Sequence, residues 1–137
     1  MTTTAKKLVP KKPKFDYKKI KTFEDACEAL GIDPTKLPEL TLLSEEFVKP
    51  IVSYYKLVIV YKAINNGWKP DWSNGSQYKY YPWFGLSSGF GFSCSDYVYA
   101  GTDTYVGSRL CTDTREKAGY IAKQFEALYQ EYLLFSE

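Results

Sequence analysis

The feature that most constrains this chain is an aromatic band punctuated by glycine and serine. Between Trp68 and Tyr105 it carries Trp68, Trp72, Tyr78, Tyr80, Tyr81, Trp83, Phe84, Phe90, Phe92, Tyr97, Tyr99 and Tyr105, half of all its aromatic residues. Ser73-Asn74-Gly75-Ser76, Gly85, Ser87-Ser88-Gly89, Gly101 and Gly107 interrupt the rings. Aromatic runs broken by turn formers read as short antiparallel strands joined by tight turns. The pattern predicts strands near 78–84, 89–99 and 105–112. Gly89-Phe90-Gly91-Phe92 alternates, which places Phe90 and Phe92 on one side. Pro82 cannot donate to a ladder, so its strand lies at an edge or carries a break. On that strand Tyr78 and Tyr80 fall on one face, and Tyr81 and Trp83 on the other.

Outside the band the pattern is helical. Thr22 and Asp25 form a capping-box pair before a short helix over 23–30, with Gly31 as its stop. Asp33-Pro34 starts a turn that ends by Pro38. Ser44 precedes a long helix to about Asn66, with Glu45 and Glu46 in its first turn. Phe47, Ile51, Tyr54, Val58 and Tyr61 recur at helical spacing, and Leu57, Val60 and Ile64 add a second stripe, so the helix is apolar over much of its circumference. Pro50 either kinks it or marks its start. A last helix is capped by Asp113, with Glu116 three residues on, and Ala118, Ile121, Ala122, Phe125, Leu128, Tyr129 and Tyr132 lie on its one apolar face. The expected fold class is α+β: a small antiparallel three-stranded sheet packed on two main helices, with an extended basic N-terminal arm at 1–21 and a single domain at 22–137.

That arm is the second compositional feature. Lys6, Lys7, Lys11, Lys12, Lys14, Lys18, Lys19 and Lys21 face one acid, Asp16, within the first 22 residues. The whole chain of 137 residues carries only a formal +2, so the body is acidic on balance. Basic arms engage acidic protein surfaces or nucleic acid. The arm lacks the apolar stretch of about 7–15 residues that a secretory leader needs. The longest apolar run, Leu57–Tyr61, is too short to cross a bilayer, and no membrane role is expected.

Histidine is absent, which excludes imidazole bases and imidazole metal ligands. Cys27, Cys94 and Cys111 are odd in number, without CxxC spacing, so neither a disulfide framework nor a zinc site is expected. There is no phosphate-binding GxxxxGK[ST] loop, and Gly89-Phe90-Gly91 lies between strands rather than before a helix. An enzyme is therefore not expected, nor a cofactor. Between Trp72 and Val106 the only basic residue is Lys79, which favours protein over nucleic acid as the partner of the aromatic face. The candidate binding residues are Lys6, Lys7, Lys11, Lys12, Lys14, Lys18 and Lys19 in the arm, and Tyr78, Tyr81 and Trp83 on the band.

Several segments are distinctive together: Gly67-Trp68-Lys69-Pro70-Asp71-Trp72, Gln77–Phe84, Ser88-Gly89-Phe90-Gly91-Phe92-Ser93, Val106–Cys111 and Ala118–Phe125. They resemble a group of small proteins encoded by phages and prophages of Bacteroidetes, crAss-like phages included. The resemblance covers about 22–135 and leaves the arm outside it. It implies a phage-encoded module of the virion, present in the host cytoplasm during assembly, with coat or other virion proteins as partners and no catalytic residues to carry over. The expected function is an auxiliary, decorating capsid protein. The alternatives are a nucleic-acid-binding accessory protein, with the arm on phosphates, and an inhibitor of a host factor.

Overall fold

The computed structural model describes residues 14–86 and 91–135. In chain order these form α1 (Phe23–Leu30), α2 (Glu45–Asn65), β1 (Lys79–Gly85), β2 (Gly91–Ala100), α3 (Arg115–Gln124) and α4 (Glu126–Leu133). A 3-10 turn at Tyr17–Lys19 precedes α1.

The fold is mostly helical, and the expected three-stranded sheet on two main helices is not formed. Two strands pair, β1 with β2, antiparallel. Residues 105–112 add only one bridge, in which Tyr80 and Thr112 exchange both backbone bonds at 2.9 and 2.8 Å. The physical reason lies at Thr104. Its hydroxyl oxygen accepts from Val106 N at 3.0 Å and Gly107 N at 2.9 Å. Those are donors that a strand would place on its ladder. Gly107 then turns left-handed at φ 73°, and the chain straightens only in time for Thr112.

α1 forms where the local signals put it. Thr22 Oγ1 accepts from Asp25 N at 3.1 Å, and the Asp25 carboxylate accepts from Thr22 N at 3.2 Å and Lys21 N at 3.0 Å. Gly31 closes the helix at φ 68°. The Lys21 backbone bond is the main cause holding the Asp25 carboxyl below its ordinary 3.8. A depressed carboxyl stabilises the fold above its unfolded value and loses that contribution as the pH falls through the lower folded one. Thr22→Ala is expected to cost ~1 kcal/mol at pH 7, the usual loss when an N-cap hydroxyl is removed. In a urea melt, the gap from wild type should narrow below pH 3.8, because the Thr22 side chain helps to hold the Asp25 carboxyl down and that contribution is lost from wild type as Asp25 protonates. A gap unchanged at acid pH would count against the reciprocal box.

α2 is the central element, packed against α1 on one side and α4 on the other. Ser44 takes the cap position, but its side chain makes no capping bond. Pro50 sits inside the helix as its sixth residue, beyond the first four unpaired N–H groups, so it removes one ladder bond to the Glu46 carbonyl. Leu57, Val60, Tyr61 and Ile64 are fully enclosed, and Ile121, Phe125 and Tyr129 meet them from α3 and α4. Each enclosed aliphatic side chain contributes about 1.5–3 kcal/mol of transfer free energy.

The expected single C-terminal helix divides at Phe125, whose φ of −114° and ψ of 29° leave the helical range although its N–H still donates to the Ile121 carbonyl at 2.9 Å and its carbonyl accepts from Tyr129 N at 3.2 Å. Thr114 caps α3, not Asp113. Its hydroxyl oxygen accepts from Lys117 N at 3.2 Å, while Asp113 forms an ion pair with the Lys117 ammonium at 3.0 Å.

The first described residues lie on the body. Ile20 is buried, and the Tyr17 ring meets Tyr120 edge-on at 5.3 Å. Tyr120 donates its hydroxyl toward the carbonyls of Ile20 (2.7 Å) and Lys18 (3.1 Å), and Gln124 donates to the carbonyl of Lys21 at 2.9 Å. The base of the basic segment is thus fastened along α3.

Candidate functional site: an aromatic groove

Four separate stretches of chain meet around an open groove of about 710 Å³. α2 supplies Pro50, Ile51 and Tyr54. β1 supplies Tyr81 to Phe84, with Leu86 just beyond. The loop after β2 brings Tyr105, Val106 and Leu110, and α4 brings Tyr129, Tyr132 and Leu133. No lining residue is charged.

Local structure explains how β1 reaches the groove. The β1–β2 register shifts between Pro82 and Phe84. A bulge re-aims the side chains that follow it. Phe84 packs on the Tyr129 ring at a centroid distance of 4.6 Å. Trp83, at the shift itself, stays half exposed. Across the groove Tyr54 and Tyr132 pack at 5.6 Å. Tyr105 stands at the mouth, 91% exposed.

Behind the groove the Tyr129 hydroxyl meets that of Tyr61 in the core. Burial pushes the ionisation of both well above the ordinary 10. Burial likewise raises the nearby Cys111 thiol, to about 11. Cys111 is therefore a protonated core thiol at neutral pH, not a nucleophile. Asn65 donates to the Cys111 carbonyl at 2.9 Å, and its own Oδ1 finds no partner among the described residues.

Beside the groove lies a buried lysine. Lys79 is fully enclosed. Its ammonium donates to the carbonyls of Gly101 at 2.6 Å and Asn74 at 3.0 Å, and stands 5.1 Å from the centre of the Trp72 ring. Trp72 in turn donates its indole N–H to Ser108 Oγ at 2.7 Å. These bonds fasten the loop before β1 to the loop that carries Tyr105.

The residues singled out in the sequence are dispersed by the fold. Lys6, Lys7, Lys11 and Lys12 lie outside the described residues, as does Phe90. Lys14, Lys18 and Lys19 are exposed. Tyr78 is half exposed and meets Tyr80 edge-on at 6.5 Å. Tyr81 is 3% exposed, so it forms wall rather than handle. Trp83 alone of the three is both accessible and in the groove. The sequence reading missed Ile51, Tyr54, Tyr105 and Tyr132 as site residues. One signal for them was present: α2 carries more apolar circumference than two neighbouring helices can cover, and Phe47 and Ile51 are left exposed.

Among the described residues no cluster of three or more carboxylate or thiol groups has metal-binding geometry. No described helix is long and apolar enough to cross a membrane. No family model, curated protein or solved structure matches the chain.

Proposed function

We propose that this protein is a non-enzymatic docking protein, an auxiliary component of a phage capsid, which holds an apolar segment of a coat subunit in the aromatic groove. The observation that carries the docking role is the groove itself: open, ring-lined and without a charged side chain. Tyr and Trp anchor protein interfaces because they bury a large rigid area and keep a polar tip for hydrogen bonding. A monomer that leaves such rings in water gains by covering them. The phage setting rests on the sequence resemblance, and the lysine-rich segment adds attraction to an acidic seam between coat subunits.

The test is quantitative mass spectrometry of particles purified from the phage or induced prophage that encodes the chain. Stoichiometric copy number is the expected result. Trp83→Ala combined with Tyr105→Ala should lower it about tenfold or more, since each interface anchor is worth more than the ~1.4 kcal/mol that a decade requires. Particles without the protein would sink the capsid role. Retention of the double variant at full copy number would sink the groove as the docking site.

A further inference from the structure

The groove belongs to a larger apolar face. Ile51, Trp83, Leu86 and Leu133 line it and are each between 43% and 52% exposed, and Tyr105 at its mouth is 91% exposed. Phe47 lies one turn before Ile51 on α2, so it shares that face, and it is 55% exposed. A large side chain has about 150–250 Å² to bury, so these six leave about 700 Å² of largely apolar surface in water. The half-buried Tyr54, Val106 and Tyr132 enlarge it. The largest apolar patch on an ordinary monomer is about 300–600 Å². A stable interface covers about 800 Å² on each partner. The face is therefore more than a monomer ordinarily leaves open, and about what one side of a dimer needs.

Its shape suits a second copy of the same chain. A two-fold interface is self-complementary, because each patch meets its own image. Here a ridge and a groove lie side by side. The ridge is the α2 stripe Phe47, Ile51 and Tyr54, at i, i+4 and i+7. Ile51 and Tyr54 also form one wall of the groove. About a two-fold axis the two stripes run antiparallel, and each rests in the groove of the other copy. Ile51, in the middle of the stripe, then falls near the axis. No described residue that lines the groove is charged, so the pairing sets no like charges against each other there.

We infer that the free protein is a two-fold dimer, paired through the groove face with α2 against α2. The inference goes beyond the docking role proposed above. A coat segment docks by displacing the second copy from the same rings.

The experiment follows the full chain by sedimentation equilibrium over a dilution series. The expected species is twice the 15.7 kDa of one chain, parting to monomer on dilution. Ile51→Glu and Ile51→Lys each set like charges face to face near the axis, and each should raise the dissociation constant about 100-fold or more. Ile51 is an exposed residue of the single chain, so circular dichroism should show an unchanged fold. An equimolar mixture of the two variants sets opposite charges face to face. It should recover dimer at concentrations where each variant alone is monomeric. Trp83→Ala with Tyr105→Ala should weaken the dimer about tenfold or more. Interfaces of this size bind at about micromolar or tighter, so a wild type still monomeric at ~100 µM would overturn the inference. The docking role, read from copy number on particles, would survive that result. A dimer indifferent to both Ile51 variants would put the contact on another face and overturn the inference as well. A mixture as monomeric as its components would refute the antiparallel pairing of α2. Particles without the protein would sink the docking role and leave the dimer untouched.

Discussion

Truncating Tyr61 to alanine is expected to cost ~3–5 kcal/mol of stability, the range for removing a large ring from a closed core. The ring is fully enclosed in the C-terminal half of α2, and its hydroxyl meets that of the buried Tyr129. A urea melt should show a lower midpoint with little change in slope. The subtler half of the result concerns the hydroxyls. Tyr61→Phe alone strands the Tyr129 hydroxyl in the core, which costs ~1–3 kcal/mol for a small change in volume. Tyr61→Phe with Tyr129→Phe removes both polar groups and should recover most of that loss. The double-mutant cycle therefore shows strong coupling. Additive single losses would refute the pairing. The same pair predicts a basic limb. Burial raises both ionisations above the ordinary 10, so their contribution is complete below the unfolded value. It is lost as the pH rises past about 10, because only the unfolded chain can ionise there.

What was legible in the sequence was what local chemistry decides. Thr22, Asp25 and Gly31 specify both ends of α1 within ten residues, and the structure uses all three. Ser44 and the Asn65-Asn66-Gly67 run bracket α2 correctly even across Pro50, because the burial of Leu57, Tyr61 and Ile64 outweighs one missing ladder bond. β1 and β2 are found near their expected places for the same reason that rings and turn formers alternate there.

The errors share a different origin. Residues 105–112 have strand-like composition, but a single threonine hydroxyl captured two backbone donors, and propensity has no knowledge of that competition. The cap of α3 moved by one residue because Asp113 had an alternative partner in Lys117. The groove could not be read at all. Its walls come from residues 50–54, 81–86, 105–110 and 129–133, and only the tertiary fold makes them neighbours. Helical spacing put Ile51 and Tyr54 on the same stripe as Tyr61. Spacing alone does not say that the first turns of the stripe, at Phe47 and Ile51, lie outside the core while its last turn at Ile64 is enclosed. Tyr129 was recognised as a core residue, which it is, but its ring also meets Phe84 and closes the back of the groove.

Lys79→Met is the second variant with a large expected effect, and its consequence reaches the groove from outside it. A buried ammonium with no carboxylate at salt-bridge distance among the described residues is held by carbonyl dipoles and a ring face. Methionine keeps most of the volume and removes every donor. The carbonyls of Asn74 and Gly101 then lose charge-assisted bonds, each worth ~1.5–3 kcal/mol, and Trp72 loses its cation. Some of that is recovered because the substituted side chain needs no hydration, so the expected net loss is ~2–3 kcal/mol in a denaturant melt. The loss should also be local. Gly101 sits so close to Gly75 that a Cβ there would lie 3.1 Å from its carbonyl oxygen, which shows how tightly the two loops are laced. Release of Lys79 leaves the Trp72–Ser108 bond to tie the loop before β1 to the loop that carries Tyr105. Amides of residues 73–77 and 101–107 should therefore exchange faster, while those of α2 follow only the global change. Tyr105 rides on the freed loop, so binding of Nile red, an uncharged probe of apolar surface, in the groove of the dilute protein should weaken although Lys79 does not line it. Uniform acceleration of exchange across the fold, with groove affinity unchanged, would mean that the lysine serves the core at large and does not position this wall of the groove.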